Sequence, residues 1–296
     1  MSKWIEITIT ITLETQEAII NACWELGANG VVQSGSRLSE TSEQVTAYWP
    51  NQTDIGQKVH QISILWDNLR DLGIAYGPCL ITTQEISENK WDLVWKKAVQ
   101  PVRISETLIV APPWSQISCS EEVNIVRINP GTGFGTGNHE TTQLCLRKLG
   151  KWLKPGDNVL DIGTGSGVLS IAAAFLGASQ VTGIDNDPMT LDNAIENVQL
   201  NNVVDRVNIF TGDVNHSEIN GCYQIVISNI DYSSLTILLP KIICHLKNNG
   251  RLILSGLLSS ETKIFEARLL DNDLAIVEHE TQGEWWGVVV KKNNSD

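Results

Sequence analysis

Residues 159–167 read VLDIGTGSG, an apolar strand pattern that breaks into three glycines. Glycines at the point where a strand gives way to a helix let a ligand approach the backbone. Asp161 lies near the end of the apolar run, and Asp185 ends the next strand pattern, 22 residues after Gly163. A carboxylate at this second position bonds ribose hydroxyls in nucleotide-binding folds. The spacing therefore predicts an adenosine-containing ligand beside Asp161, Gly163, Gly165 and Asp185.

Two ligand classes suit this geometry, a dinucleotide and S-adenosylmethionine. The spacing is G-x-G-x-G, and Val168 stands where the dinucleotide fingerprint G-x-G-x-x-G has its third glycine. The carboxylate of Asp161 would repel a pyrophosphate, whereas it would attract the ammonium group of S-adenosylmethionine. Asp185 serves both classes and does not separate them. The residues favour S-adenosylmethionine as the cofactor, and an NAD-dependent oxidoreductase stays a weaker alternative.

A second segment, residues 129–142, reads NPGTGFGTGNHETT and precedes a predicted helix over 139–153. Asn138 is a candidate for the N-cap of this helix, because asparagine is a preferred capping residue. His139 is a candidate general base, but a histidine beside a helix start is more often a capping or packing residue. No catalytic base is assigned from the sequence.

These residues need a sheet whose strand ends meet, and the pattern from 157 onward supplies one. Strand patterns alternate with helical stretches, which is typical of a doubly wound α/β fold. The last two strand patterns, 274–281 and 285–291, are separated by a short turn at Gly283, so we expect a closing antiparallel hairpin. The other strands are predicted at 157–162, 180–185, 206–211, 223–228 and 250–255.

The first 87 residues follow a different order, β-α-β-β-α-β, which is the ferredoxin-like arrangement. The alternation of KWIEITITITL over 3–13 predicts its first strand. Trp91 and Trp95 stand one helical turn apart in a predicted connector helix. We therefore expect a small α+β domain over 1–87, a helical connector over 88–101 and an α/β domain over 102–296.

The composition of the 296 residues, with 42% hydrophobic and 19% charged, is typical of a soluble folded protein. The net charge of -13 disfavours a nucleic-acid partner, because phosphate binding needs clustered Lys and Arg. It suits a basic protein or a small molecule better. The N-terminus MSKWIEITIT resembles no signal segment and no apolar run spans a bilayer, so we expect a cytoplasmic protein. The six cysteines form no C-x-x-C pair, so we expect reduced, mostly buried thiols and no metal site.

The segments NPGTGFGTGNHETT and VLDIGTGSG, with LILSGLL at 252–258, resemble the bacterial ribosomal protein L11 methyltransferases. The resemblance covers nearly the whole chain and is most specific over 129–187. It implies a Rossmann-like seven-stranded methyltransferase domain that uses S-adenosylmethionine, and a ferredoxin-like α+β domain that holds the substrate. The implied substrate is the ribosomal protein of the large-subunit stalk base, methylated at lysine side chains and at its N-terminal amine. The cofactor-binding residues expected from the motifs and the resemblance are Phe134, Thr142, Asp161, Gly163, Gly165, Asp185 and Asn229.

Asn229 lies in the sequence Ser228-Asn-Ile-Asp231, where methyltransferases of this fold present groups to the substrate. Enzymes that methylate planar amide or base nitrogens usually carry Asn-Pro-Pro-Tyr there, so an aliphatic amine is favoured over a flat nucleobase. Thr164, Glu140 and Asp231 depart from the family's usual cysteine, proline and leucine. Our hypothesis for Asp231 is that its carboxylate tunes the acceptor pocket without changing the reaction.

Two other interpretations stay open. A methyltransferase of the same fold could act on another protein or on a small amine. A ferredoxin-like domain also suits a non-catalytic binding protein, although the intact set of site residues argues against a dead site. No heptad repeat demands assembly, and we expect a monomer that binds neither nucleic acid nor a membrane.

Overall fold

The structure is a computed structural model of the chain. It describes residues 3–28, 30–39, 42–51, 53–75, 79–87, 99–130, 135–217, 219 and 221–293. The chain divides into two compact units, Met1–Gln100 and Pro101–Asp296. The predicted connector helix, with Trp91 and Trp95, lies for the most part outside the described residues, so its form stays a prediction.

In its described residues, the first unit is a four-stranded antiparallel sheet with two helices. Its strands follow the order β2-β3-β1-β4, which is the predicted ferredoxin-like arrangement. The elements are β1 (Lys3–Thr12), α1 (Gln16–Glu25), β2 (Gly30–Ser39), β3 (Ser42–Pro50), α2 (Ile55–Asp71) and β4 (Leu80–Ser87).

The core of this unit follows from the two periodicities of its sequence. Alternate residues of β1, including Ile7 and Ile9, are fully buried, because strand side chains point to opposite faces. They share one apolar cluster with Ile19 of α1 and with Ile62 and Trp66 of α2. The two helices therefore cover one face of the sheet.

The second unit begins with a small three-stranded sheet and continues as an alternation of strands and helices. The small sheet has the order β5-β6-β7 and precedes the first helix of the alternating part. The elements are β5 (Val102–Arg103), β6 (Leu108–Ala111), β7 (Asn124–Arg127), α3 (Glu140–Trp152), β8 (Asn158–Ile162), α4 (Val168–Phe175), β9 (Gln180–Asp185), α5 (Pro188–Leu200), β10 (Val207–Thr211), β11 (Tyr223–Asn229), α6 (Tyr232–Cys244), β12 (Leu246–Leu258), α7 (Thr262–Asp271), β13 (Leu274–Gln282) and β14 (Trp285–Lys292).

The main sheet has seven strands in the order β10-β9-β8-β11-β12-β14-β13. The first five are parallel, and β13 and β14 form the predicted antiparallel hairpin at one edge. The strand predicted at 250–255 is longer than expected, because β12 begins at Leu246 and continues past an irregularity between Leu254 and Leu257. The carboxyl ends of β8, β9 and β11 meet at the same edge, where ligands bind in open α/β sheets.

Helices cover both faces of the main sheet. One apolar cluster contains Leu146 of α3, Ile171 of α4 and Val198 of α5. The other contains Leu239 of α6 and Phe265 of α7. Helices thus cover both faces of the sheet through apolar contacts. A ligand would therefore bind at the edge where the carboxyl ends of the strands meet.

The cysteines differ from the expectation in one respect. All six are free, but only Cys23 and Cys145 are buried, while Cys119, Cys222 and Cys244 are exposed. The prediction of mostly buried thiols was wrong, because it relied on the average behaviour of free cysteine and not on position. Among the described residues, no helix is both long and apolar enough to cross a membrane. No cluster of three potential metal ligands occurs in that part of the chain.

Candidate active site

The glycine loop lies where β8 ends and α4 begins. Its Gly163 has a positive φ of 75°, which favours glycine, and its backbone N–H donates to the carbonyl of Ile184 at 2.9 Å. A Cβ at Gly163 would lie 2.5 Å from Cγ2 of Ile230. Glycine is therefore required here both for the turn and for the close packing of the segment that follows Asn229.

Asp161 is fully buried beneath this loop. Its Oδ2 accepts hydrogen bonds from Thr164 Oγ1 and Ser170 Oγ, both at 2.7 Å. Its Oδ1 has no hydrogen-bond partner among the described residues. Burial raises the pKa of Asp161 to about 6, although the two hydroxyl hydrogen bonds act in the opposite direction, and the nearby carboxylate of Asp185 adds to the rise. The site thus contains a buried carboxylate with one acceptor oxygen that has no partner in the described part of the chain, which suits a cationic donor.

Asp185 ends β9 and is joined to the glycine loop. Its Oδ2 accepts from the backbone N–H of Gly165 at 2.8 Å, and its Oδ1 accepts from the backbone N–H of Asp187 at 3.0 Å. These bonds fix the orientation of the carboxylate. Because each carboxylate oxygen has two lone pairs, Asp185 retains acceptor capacity for two hydroxyl groups of a ligand.

Thr142 and Asn229 come from segments that are far apart in sequence. Thr142 lies in the first turn of α3 and is fully buried, and Asn229 is the last residue of β11. Asn229 Nδ2 donates to Thr142 Oγ1 at 3.4 Å. The structure therefore brings together two predicted site residues at the carboxyl edge of the sheet.

The start of α3 differs from the prediction. The N-cap is His139 and not Asn138, since His139 Nδ1 accepts from the backbone N–H of Thr141 at 3.3 Å. The same nitrogen lies 2.8 Å from Thr141 Oγ1, and the ring packs edge-on against Trp285 with a centroid distance of 5.0 Å. A ring nitrogen can accept from the helix start as an asparagine oxygen does, and the capping or packing role expected for a histidine beside a helix start is confirmed. His139 therefore has a capping and packing role.

Asp231 is the N-cap of α6. Its carboxylate accepts from the backbone N–H of Ser234 at 3.0 Å and from Ser234 Oγ at 2.6 Å. Partial burial acts to raise the pKa of Asp231, but the hydrogen bonds from Ser234 outweigh it and lower the pKa. Capping of α6 is by itself a sufficient reason for an aspartate at this position. The hypothesis that Asp231 tunes the acceptor pocket therefore has a structural alternative.

The segment over 129–142, which contains the expected cofactor-binding residues Phe134 and Thr142, is described only in part. Phe134, together with residues 131–133, lies outside the described residues. Gly135 is described, and its carbonyl accepts from Ser166 Oγ at 2.7 Å. The segment is thus bonded to the glycine loop at this point.

Two residues of this edge were missed by the sequence analysis. Gly256, with φ of 89°, packs directly on the backbone carbonyl of Ile230, where no Cβ fits. The signal was a glycine that interrupts an apolar strand. Asp213 follows β10, and the N–H of its neighbour Gly212 donates to the carbonyl of Asp185 at 2.8 Å. Its position two residues past the end of a strand was the available signal.

The sequence model of the family described as "Ribosomal protein L11 methyltransferase (PrmA)" matches residues 3–293 of the chain. The chain belongs to this family. The resemblance found in its motifs is thereby confirmed over nearly its whole length. Membership of a methyltransferase family also favours methyl transfer over the hydride transfer of an oxidoreductase.

Two relatives and one solved structure show how similar this family member is to others. Ribosomal protein L11 methyltransferase of Caldanaerobacter subterraneus subsp. tengcongensis is 34% identical, covering 98% of this chain and 99% of that protein. The protein of the same name from Streptococcus thermophilus is 33% identical, covering 99% and 98%. A crystal structure of the ribosomal protein L11 methylase of Lactobacillus delbrueckii subsp. bulgaricus is 29% identical with a TM-score of 0.61, covering 66% of this chain and 100% of that chain. The Rossmann-like methyltransferase fold is therefore shared with a solved protein of the same family.

Proposed function

We propose that this chain transfers methyl groups from S-adenosylmethionine to amines of ribosomal protein L11, at lysine side chains and at the N-terminal amine. The observation that carries the proposal is the contact of Asn229 with Thr142 at the sheet edge that also holds the glycine loop and Asp185. The names of the relatives support the choice of L11 as the protein substrate.

The residues at this edge fit S-adenosylmethionine. Oδ1 of buried Asp161, which has no partner among the described residues, is an acceptor for an ammonium group. A cation there would offset the cost of burying the carboxylate. Asp185 has acceptor capacity for the two ribose hydroxyls. We assign Phe134, Thr142, Gly163, Gly165 and Asn229 to the same site, with Phe134 resting on the family resemblance alone.

When bound, S-adenosylmethionine supplies a methyl group on a sulfonium, which is transferred in line to a nucleophilic nitrogen. The chain has to hold the acceptor nitrogen in line with that methyl group. Asn229 suits this task, because its Nδ2 is used by Thr142 and its Oδ1 can accept an N–H of the acceptor amine. Such a bond would point the lone pair of the nitrogen away from Asn229.

The acceptor amine must also be neutral. A lysine with a pKa of ~10.4 is almost fully charged at pH 7, and removing its proton costs about 4–5 kcal/mol. Burial beside a positive charge favours the neutral amine. We assign no general base, and His139 is a poor candidate because its Nδ1 is used in capping α3.

The two units divide the work in this proposal. The domain over 1–87 recognises the protein substrate, the connector over 88–101 joins it to the methyltransferase domain over 102–296, and the chain acts as a monomer. The net charge of -13 supports a basic protein as the substrate rather than a nucleic acid. A substrate that belongs to the ribosome supports a cytoplasmic location.

The experiment that tests the substrate assignment is a competition among proteins. The chain is incubated with a mixture of unmethylated large-subunit ribosomal proteins and S-adenosylmethionine labelled in its methyl group. The proposal predicts that label enters L11 first and that added L11 suppresses the labelling of any other protein in the mixture. Label that enters another protein or a small amine, and is not suppressed by L11, would favour the alternative substrate.

A further inference from the structure

Three buried asparagines stand four residues apart along α5 and its end. Asn193, Asn197 and Asn201 are 8%, 0% and 7% exposed. Residues four apart lie on one face of a helix, so the three carboxamides point the same way. Asparagine is mostly exposed in proteins, and burying an amide is unfavourable unless its hydrogen bonds are made. This row of amides therefore needs partners, and the structure supplies most of them from outside the helix; Asn193 Oδ1 has none among the described residues.

The partners are backbone groups of Arg127 and of Asn129, which is the first residue of the segment over 129–142, here called the Gly/Thr segment. Asn201 Oδ1 accepts from the N–H of Arg127 at 2.8 Å, and its Nδ2 donates to the carbonyl of Arg127 at 2.6 Å. Asn197 Oδ1 accepts from the N–H of Asn129 at 2.7 Å, and Asn193 Nδ2 donates to the carbonyl of Asn129 at 3.1 Å. The N–H and C=O of alternate residues point to one side of an extended chain. The asparagines thus bind residues 127 and 129 as a neighbouring strand would.

Asn197 differs from the other two because it also reaches the glycine loop. Its Nδ2 donates to the backbone carbonyl of Ser166 at 2.9 Å. Ser166 in turn donates from Oγ to the carbonyl of Gly135 at 2.7 Å. The two residues therefore hold Asn129 and Gly135, which bracket the part of the Gly/Thr segment outside the described residues, against the glycine loop.

We propose that Asn197 and Ser166 are positioning residues for methyl transfer, which set where Asn129 and Gly135 lie relative to the glycine loop. Neither residue is assigned a contact with the cofactor. The inference rests on the proposed function, because it assumes that S-adenosylmethionine binds beside the glycine loop. Asn201 lacks a bond to the glycine loop and has no part in the proposal.

The test compares two asparagines that are almost equally buried and equally bonded to the backbone. Asn197→Leu and Ser166→Ala are expected to raise the Kd for S-adenosylhomocysteine, measured by calorimetry, about tenfold, which is the loss of roughly one hydrogen bond. The KM for S-adenosylmethionine is expected to rise equally, while the KM for L11 stays unchanged. Asn201→Leu is expected to lower the melting temperature as much as Asn197→Leu and to leave the Kd within about twofold of the wild-type value.

The inference is overturned if Asn197→Leu and Ser166→Ala leave the Kd within about twofold of wild type, whatever their melting temperatures. If Asn197→Leu does not fold, Ser166→Ala decides by the same criterion, because it removes one hydroxyl and leaves the Ser166 carbonyl in place. A wild-type chain that binds no S-adenosylhomocysteine would contradict the proposed function and the inference together. Wild-type binding that both variants retain would contradict the inference alone.

Discussion

At the scale of single residues, the buried carboxylate of Asp161 lowers the stability of the folded chain when it is charged, and it is also a candidate acceptor for a ligand ammonium group. Its pKa in the folded chain is about 6, compared with an ordinary value of 3.8. The folded state therefore binds the proton more tightly than the unfolded state, and the free energy of unfolding falls as pH rises between these two values. Above a pH of about 6 the cost is fully present. A ligand ammonium group beside Oδ1 would repay part of it.

We predict that Asp161→Asn removes this pH dependence. Between pH ~4 and ~7, the wild type should lose on the order of 3 kcal/mol relative to the variant. Denaturant unfolding of both chains across this range measures the difference. Saturating S-adenosylhomocysteine should reduce the wild-type loss, since its ammonium group favours the charged carboxylate. An identical pH dependence in the two chains would contradict the assigned burial cost.

Asp185 gives a second prediction at this scale. Asp185→Asn keeps one acceptor oxygen but loses the other, so either the bond from Gly165 or the bond from Asp187 is broken. Because hydrogen bonds to charged groups contribute ~1.5–3 kcal/mol, we expect the KM for S-adenosylmethionine to rise about tenfold to a hundredfold. Asp192→Asn, an exposed acid on α5, is the matched control and should leave this KM unchanged. Equal KM values for the two variants would remove Asp185 from the cofactor site.

The positions of single residues were predictable where the end of a strand sets them. Asp161 and Asp185 could be found because strand ends converge in a parallel sheet. The contact of Thr142 with Asn229 could not, because it joins residues 87 apart and depends on how α3 packs against β11. The N-cap prediction failed at Asn138 because a one-residue shift of a helix start is below the resolution of sequence patterns.

At the scale of secondary-structure elements, Asp231 determines how α6 begins. Asp231→Ala removes the cap, and we expect a loss of about 1 kcal/mol in the free energy of unfolding. Asp231→Ser retains a capping oxygen and should recover most of that loss. If Asp231→Ala also changes the distribution of methylated products while Asp231→Ser does not, the cap, and not the charge of the carboxylate, acts on the acceptor pocket. Unchanged stability in Asp231→Ala would contradict the capping role.

The position of α3, which carries Thr142, depends on ion pairs to β13. The side chain of Lys148 is only 1% exposed, and its Nζ lies 3.2 Å from Glu280 and 3.9 Å from Glu278. Arg147 also binds Glu280 at 2.8 Å, and Lys151 binds Glu278 at 2.6 Å. The glutamates therefore have second partners, whereas the buried ammonium group of Lys148 depends on these two carboxylates among the described residues.

This asymmetry predicts unequal costs for the two sides of the pair. Glu280→Ala leaves a buried cation poorly compensated, and we expect a loss of about 3 kcal/mol, whereas Lys148→Met should cost less than about 1 kcal/mol. Denaturant unfolding of the single variants and of the double variant measures both values. The double variant should be more stable than Glu280→Ala alone. Equal costs for the single variants would contradict the dependence of Lys148 on Glu280.

Most elements were predictable because their periodicities are clear and glycine or proline marks their ends. The end of the strand predicted at 250–255 was an exception. The strand continues to Leu258 through Gly256, a residue that usually indicates the end of a strand. Pairing with β14 on both sides of the irregularity keeps the strand in the sheet. Such tertiary pairing is absent from a local pattern.

At the scale of the whole molecule, the charge of -13 gives a prediction about substrate encounter. If the acidic chain attracts a basic protein substrate, kcat/KM for L11 should fall several-fold between ~0.05 and ~0.5 M salt, because screening shortens the range of the attraction. The KM for S-adenosylmethionine should change far less, since its contacts are at close range. Steady-state kinetics over this range distinguishes the two. A kcat/KM for L11 that does not depend on salt would contradict electrostatic attraction of the substrate.

The fold class and the family were predictable for the whole molecule, because the glycine and Gly/Thr motifs specify a cofactor and the strand-helix order specifies a sheet. The asparagines on α5 and at its end show a four-residue spacing in the sequence, but this spacing does not predict what they bind. Its partners at residues 127 and 129 depend on where the small sheet places them, which no local pattern encodes.

The most direct measurement is the intact and peptide mass of ribosomal protein L11 after incubation with this chain and S-adenosylmethionine, with Asp185→Asn run in parallel. We expect mass gains in steps of one CH2 group, located to lysine side chains or the N-terminal amine, and far slower gains with the variant. No gain on L11 while the wild type binds S-adenosylhomocysteine would contradict the substrate assignment. Equal gains with wild type and Asp185→Asn would contradict the proposed cofactor site.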